Sequence, residues 1–132
     1  MNDYMILIGT DIHKAASLKK SIQKNIPNTS ILIVENMEDA LSGILTELQK
    51  GGSQKLLFFL FYQATRENNL LYHELINRLE KINSFQFEFI FVLDHLNLAT
   101  YYEIQRLPYV KDIITRPVSN FVLKRFFSSP FI

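Results

Sequence analysis

Apolar runs of strand length alternate along this chain with segments whose apolar residues keep helical spacing, and no other feature restricts its fold as much. The runs are YMILIG (4 to 9), SILIVE (30 to 35), KLLFFLFY (55 to 62), FEFIFVL (87 to 93) and VKDIIT (110 to 115). Most are nearly continuous in Val, Ile, Leu and Phe instead of alternating with polar residues, which is the pattern of strands buried on both faces. Between the first two, HKAASLKKSIQKNI (13 to 26) sets Ala16, Leu18, Ile22 and Ile26 at a 3.6-type spacing, with its lysines facing away. MEDALSGILTELQK (37 to 50) lines up Ala40, Leu41, Ile44, Leu45 and Leu48 and stops at Gly51-Gly52. NLLYHELINRLEKI (69 to 82) turns Leu71, Leu75, Ile76 and Leu79 inward; NLATYYEIQRL (97 to 107) reads as a fourth helix, and NFVLKRFF (120 to 127) opens a fifth.

Five strand-helix units in 132 residues make one domain. Right-handed crossovers leave few ways to connect parallel strands, and five units of this length predict a five-stranded parallel sheet of order 2-1-3-4-5. This is the flavodoxin-like, doubly wound α/β architecture, with helices on both faces. Its sites gather at the carboxyl ends of the strands. Here those ends are Gly9-Thr10-Asp11, Glu35-Asn36, Phe61-Tyr62-Gln63, Leu93-Asp94-His95 and Thr115-Arg116-Pro117.

Composition narrows the chemistry. Fourteen Lys+Arg against thirteen Asp+Glu give a formal net charge of +1, so no general polyanion-binding surface and no direct nucleic-acid binding are expected. The lysines Lys19, Lys20 and Lys24 read as one solvated helix face. The absence of cysteine excludes a disulfide framework, a thiolate nucleophile and a cysteine-based zinc site, and fits a reducing cytoplasm. Neither LLFFLFY nor the short apolar run near the N-terminus approaches the roughly 20 residues of a membrane helix. The four glycines, Gly9, Gly43, Gly51 and Gly52, spell neither GxGxxG nor GxxxxGK, and no nucleophile elbow or Ser-His-Asp order is present. His13 and His95 follow the first and fourth strands near Asp11 and Asp94, a conceivable metal site, but loop placement accounts for them equally well. Neither a metal nor another cofactor is expected.

Read in order, YMILIGTD, NMEDALSGIL and VKDIITRPVSNFVLKRF resemble three parts of the receiver domain of response regulators. These are its first strand with an acidic ending, its second helix, and its last strand with a basic-proline dipeptide and the start of the fifth helix. The resemblance spans almost the whole chain and implies a CheY-like fold and a place in bacterial two-component signal transduction. Receivers accept a phosphoryl group on an aspartate ending the third strand. That aspartate and an acidic pair after the first strand hold Mg²⁺, a Thr or Ser ends the fourth strand, and a Lys precedes the proline. These parts supply a nucleophile, a hard cation and a positive charge for the phosphoryl oxygens.

Position by position, the match departs from that set. The acidic pair falls on Gly9-Thr10 or on Thr10-Asp11, leaving at most one carboxylate, Asp11. No Asp or Glu occurs between Glu47 and Glu67, so the acceptor position falls on Phe61 or Tyr62. Asp94 takes the place of the hydroxyl and Arg116 that of the lysine. The resemblance therefore implies a degenerate pocket of Thr10, Asp11, Phe61, Tyr62, Asp94 and Arg116, with Asp94 paired to Arg116. The expectation is a pseudo-receiver that is not an enzyme and acts as a phosphorylation-independent interaction or regulatory module. The alternatives are a small flavodoxin-like ligand-binding domain or enzyme using the strand ends, and an active receiver with an unorthodox acceptor, for which Asp94 is the candidate. Tyr102 and Phe121 are the residues expected to meet a protein partner, since receivers dimerise or signal through the face of the fourth helix, fifth strand and fifth helix. The end of the chain at SSPFI, soon after the last helix begins, suits either the N-terminal piece of a longer signalling protein or a stand-alone adaptor.

Overall fold

Strands and helices follow one another in the order the apolar runs set out. The structure, a computed structural model, describes residues 4–9, 12–27, 29–36, 39, 42, 54–63, 65–81, 85–116 and 118–127. The strands are β1 (Tyr4–Ile8), β2 (Ser30–Val34), β3 (Gln54–Phe61), β4 (Phe85–Leu93) and β5 (Val110–Thr115). The helices are α1 (Ile12–Asn25), α2 (Arg66–Glu80), α3 (Leu98–Gln105) and α4 (Asn120–Phe127). Of the helix predicted over 37 to 50, Asp39 and Ser42 are described and both are helical. Ala40, Leu41, Ile44, Leu45 and Leu48 lie outside the described residues. The start of that helix is marked by Asn36, whose Oδ1 accepts the Asp39 N–H at 2.9 Å, while its Nδ2 donates to Asp39 Oδ2 at 3.1 Å. The first of these bonds satisfies one of the backbone donors that a first turn leaves open, and the second links the two side chains.

The five strands form one sheet of order β2-β1-β3-β4-β5, and every neighbouring pair is parallel. Register aligns Ile8 with both Val34 and Leu60, Phe61 with Val92, and Leu93 with Thr115, so the carboxyl ends of all five strands come to a common edge.

Side chains that alternate across the strands build two separate cores, as a two-faced sheet requires. On one face Ile6, Ile8, Phe58, Leu60, Tyr62, Phe89 and Phe91 pack with Tyr72, Leu75, Ile76 and Leu79 of α2 and Ile104 of α3. On the other, Met5, Leu7, Phe59, Ile90, Val92 and Ile114 pack with Ala15, Leu18 and Ile22 of α1 and Leu123 of α4. Phe58 stacks on Phe89 of the next strand at 4.5 Å between centroids, and Tyr72 meets Phe89 and Phe91 edge-on at 5.0 and 5.2 Å. The edge-to-face geometries suit the ring quadrupole.

Three local readings are corrected. Ala15, not Ala16, is the fully buried alanine of α1, while Ala16 is half-buried. Helix α2 begins three residues before the predicted Asn69, because Thr65 caps it by accepting the Asn68 N–H on its hydroxyl at 3.1 Å. The interior of α2 is led by Tyr72, which is fully buried and donates its hydroxyl to the Pro108 carbonyl, whereas Leu71 is only half-buried. Burial pushes the Tyr72 phenol far above its ordinary range.

Candidate functional site

The site at the strand ends starts from Gly9, immediately after β1. Its backbone sits at φ +94°, a conformation that an L side chain adopts only with strain. Its N–H donates to the Val34 carbonyl at 3.1 Å, fixing it against β2. A Cβ placed there would stand 2.7 Å from the Phe61 carbonyl oxygen. No receiver-like carboxylate fits this position without moving the end of β3. Thr10 and Asp11, the other two positions of the predicted acidic pair, lie outside the described residues.

Sequence left the end of β3 open between Phe61 and Tyr62, and period-two alternation sends the two to opposite faces. Tyr62 is 5% exposed and belongs to the α2 face, edge-on to Phe91 at 5.0 Å. Its backbone N–H donates to Val92 at 3.0 Å. Phe61 closes β3 on the α1 face and is half-buried. The Arg116 guanidinium carbon lies 5.9 Å from the centre of the Phe61 ring, within cation–π range. Phe61 is thus the residue that stands beside the basic position, and Tyr62 is primarily a core residue that also reaches the cleft wall.

Asp94 and Arg116 meet across the ends of β4 and β5. The Arg116 N–H donates to the Leu93 carbonyl at 2.9 Å, which holds the two strand ends side by side. Arg116 Nε then reaches Asp94 Oδ1 at 2.7 Å, and Nη2 bonds the same oxygen. These hydrogen bonds from Arg116 hold the Asp94 carboxyl below its ordinary range, and the charges of Lys14 and His95 act in the same direction. An ionised, Arg-bound carboxylate is a weak nucleophile, since the interaction that stabilises the anion lowers its tendency to attack.

Around this pair opens a cleft of about 320 Å³, walled by Gly9, Glu35, Asn36, Phe61, Gln63 and Asn68 together with Lys14, Asp94 and Arg116. Sequence reasoning named Gln63 only as part of the end of the third strand, and did not single out Lys14 or Asn68. The available signal was position, since Gln63 and Asn68 come just after β3 and Lys14 lies in the first turn of α1. Several polar groups here already serve local structure: Asn68 Nδ2 donates to the Gln63 carbonyl at 2.9 Å, and Asn36 is tied to Asp39. Among the described lining residues the carboxylates are Glu35 and Asp94, which directly follow β2 and β4 and do not stand at the end of β3. The described residues contain no group of three or more His, Asp or Glu able to hold a metal ion.

Tyr102 lies on α3 and Phe121 on α4, the helices adjoining β5. They are 54% and 75% exposed, and Leu98 of α3 is 68% exposed. None of the three is among the residues lining the cleft. Among the described residues no helix is long and apolar enough to cross a membrane.

No family model matches the chain, and no curated protein matches its sequence. Solved structures do. A response regulator receiver protein from Dyadobacter fermentans superposes with a TM-score of 0.65 at 13% identity, covering 95% of this chain and 98% of that one. A CheY-like response regulator receiver domain protein from Methanospirillum hungatei gives a TM-score of 0.58 at 16% identity, over 96% of this chain and 91% of that one. The fold is the CheY-like, flavodoxin-like one.

Proposed function

We propose that this chain is a receiver-like signal-transduction domain that works without phosphoryl transfer, as a protein-interaction or regulatory module and not as an enzyme. One observation carries the reading. The side chain that closes β3 beside the basic residue is Phe61, and that residue, Arg116, is bound to Asp94. Phosphoryl transfer to a carboxylate needs a nucleophile in line with the phosphorus, a hard cation, and a positive charge aimed at the equatorial oxygens. A phenylalanine offers neither nucleophile nor cation ligand, and the guanidinium is directed at an internal carboxylate. The likeness to two solved receivers supports the signalling half of the reading.

A receiver without phosphorylation has to act through contacts. Its partner face is the surface of α3, β5 and α4, where Tyr102 and Phe121 expose large apolar area of the kind that anchors interfaces. Homodimerisation through that face, or an attached output domain, completes the reading for a bacterial cytoplasmic protein with no cofactor and no direct contact with nucleic acid.

The test is incubation of the full chain with acetyl phosphate and Mg²⁺, read by intact mass alongside an active receiver. The expected result is an unchanged mass for this chain and phosphorylation of the control. Stoichiometric acyl-phosphate on this chain would overturn the proposal and point to Asp94 or Asp11 as the acceptor.

A further inference from the structure

Among the described residues β5 ends the sheet, paired with β4 on one side. An edge strand that leaves its backbone donors open is a template on which a second copy can add a strand. The Arg116 N–H points to β4, where it meets the Leu93 carbonyl, and in a parallel ladder successive residues bond to alternate sides. The Ile113 N–H, three residues earlier, is therefore directed outward, where a further strand would pair. Beside it a groove of about 240 Å³ lies between Tyr101 and Gln105 of α3 and Val110–Ile113 of β5, so the edge has space next to it.

Three features act on this edge. The register to β4 slips between Phe89 and Ile90, which pair with Val110 and Asp112, so Lys111 is an extra residue that bends the strand. Lys111 is also charged and exposed, with its ammonium 3.7 Å from Glu88. Bulges and charged side chains are the means by which natural sheets keep their edges from pairing. The third feature is Asp112, which turns its carboxylate back on the backbone: Oδ1 accepts the Ile113 N–H at 2.7 Å. A strand arriving from outside needs that donor and finds it held by a charge-assisted hydrogen bond. The other oxygen, Oδ2, stands 3.6 Å from Arg125 Nη2 of α4, a solvent-accessible ion pair of the kind that contributes little.

We infer that Asp112 guards the β5 edge: by holding the Ile113 N–H it keeps a second copy of the chain from adding a strand there. The inference goes beyond the interaction reading, since it concerns the backbone of β5 and leaves contacts through Tyr102 and Phe121 as they were.

Three variants of the full chain separate the acceptor from the charge. Asp112→Ala removes both, Asp112→Asn removes the charge but keeps an Oδ1 acceptor, and Arg125→Ala removes only the ion pair. Each is compared with the parent by NMR-resolved amide hydrogen exchange and by sedimentation velocity. At low concentration the Ile113 protection factor should fall about tenfold or more in Asp112→Ala, through loss of a charge-assisted hydrogen bond, while Asp112→Asn and Arg125→Ala retain most of it. At higher concentration Asp112→Ala alone should self-associate beyond the parent, with protection returning at Ile113 as β5 pairs with its copy. The inference is overturned if Ile113 is as well protected in Asp112→Ala as in Asp112→Asn, or if Asp112→Ala associates no more than the parent. It is equally overturned if association brings no protection to Ile113, or if Arg125→Ala behaves like Asp112→Ala. An Asp112→Ala chain that fails to fold would overturn it as well, because the carboxylate would then be a requirement of the fold and not a guard of its edge.

Discussion

Replacing Gly9 by alanine tests the claim that the backbone itself excludes an acidic residue from the end of β1. Two costs combine. Holding an L residue at φ +94° forfeits about 1–2 kcal/mol by the steric penalty of left-handed backbone. A Cβ only 2.7 Å from the Phe61 carbonyl oxygen must also displace backbone at the end of β3, a form of overpacking that costs typically about 1–3 kcal/mol. The expected loss is about 2–5 kcal/mol, a large share of the ~5–15 kcal/mol by which domains are stable. At an unfolding entropy of ~2.1 cal/mol/K per residue, this chain should lose roughly 7–18 °C in Tm. Urea unfolding monitored by circular dichroism gives the free energy, and differential scanning calorimetry gives the Tm. Gly9→Asp should lose about as much as Gly9→Ala, within ~1 kcal/mol, because the Cβ and not the charge carries the penalty. A Gly9→Ala protein within 0.5 kcal/mol of the parent, the range of an unremarkable surface substitution, would refute the steric reasoning.

Three further outcomes follow from the same geometry. Asp94→Asn should cost no more than about 1 kcal/mol at pH 7, as the pair is solvent-accessible. Because the folded-state pKa of Asp94 is lowered, the stabilisation is present above its ordinary value of 3.8 and fades as pH falls through the folded value; urea midpoints of parent and variant should converge at low pH. Tyr72→Phe should cost about 1–2 kcal/mol by leaving the Pro108 carbonyl without its donor. The raised Tyr72 pKa runs the other way: its contribution is complete below the ordinary 10.0 and is lost as pH rises beyond it, so Tyr72→Phe should lessen the alkaline destabilisation seen in urea melts above pH 10. Tyr102→Ala and Phe121→Ala should each change stability by less than about 0.5 kcal/mol, being exposed. If β5 and its flanking helices are a dimer face, sedimentation velocity should show the double variant dissociating at concentrations where the parent self-associates, and equal sedimentation of an associating parent and its variant would count against that face.

The order of the sheet could be read from the sequence because continuous apolar strands and short connections leave little topological freedom. The ends of elements were harder to read. Thr65 extends α2 through a side-chain cap that hydrophobic periodicity does not register, and β4 begins two residues early, at Phe85, through the polar Gln86. Tyr72 escaped because a tyrosine is easily placed at a surface, yet here its hydroxyl finds a backbone carbonyl and its ring fills the core. At the site, Arg116 and Asp94 were legible as the ends of neighbouring strands. The choice between Phe61 and Tyr62 was not, since a one-residue step reverses the face and only register fixes it. Gly9 was visible as a glycine, but its positive φ and the approach of the Phe61 carbonyl belong to tertiary structure.

The central claim is that the pocket of this receiver-like fold is closed to phosphoryl chemistry, and beryllofluoride with Mg²⁺ addresses it most directly because it mimics an acyl-phosphate without requiring turnover. In ¹⁵N–¹H spectra, the amides of Phe61, Tyr62, Asp94 and Arg116 are expected to keep their positions when beryllofluoride and Mg²⁺ are added together. Saturable shifts at those amides, spreading to α3 and β5 and absent with either component alone, would contradict the account.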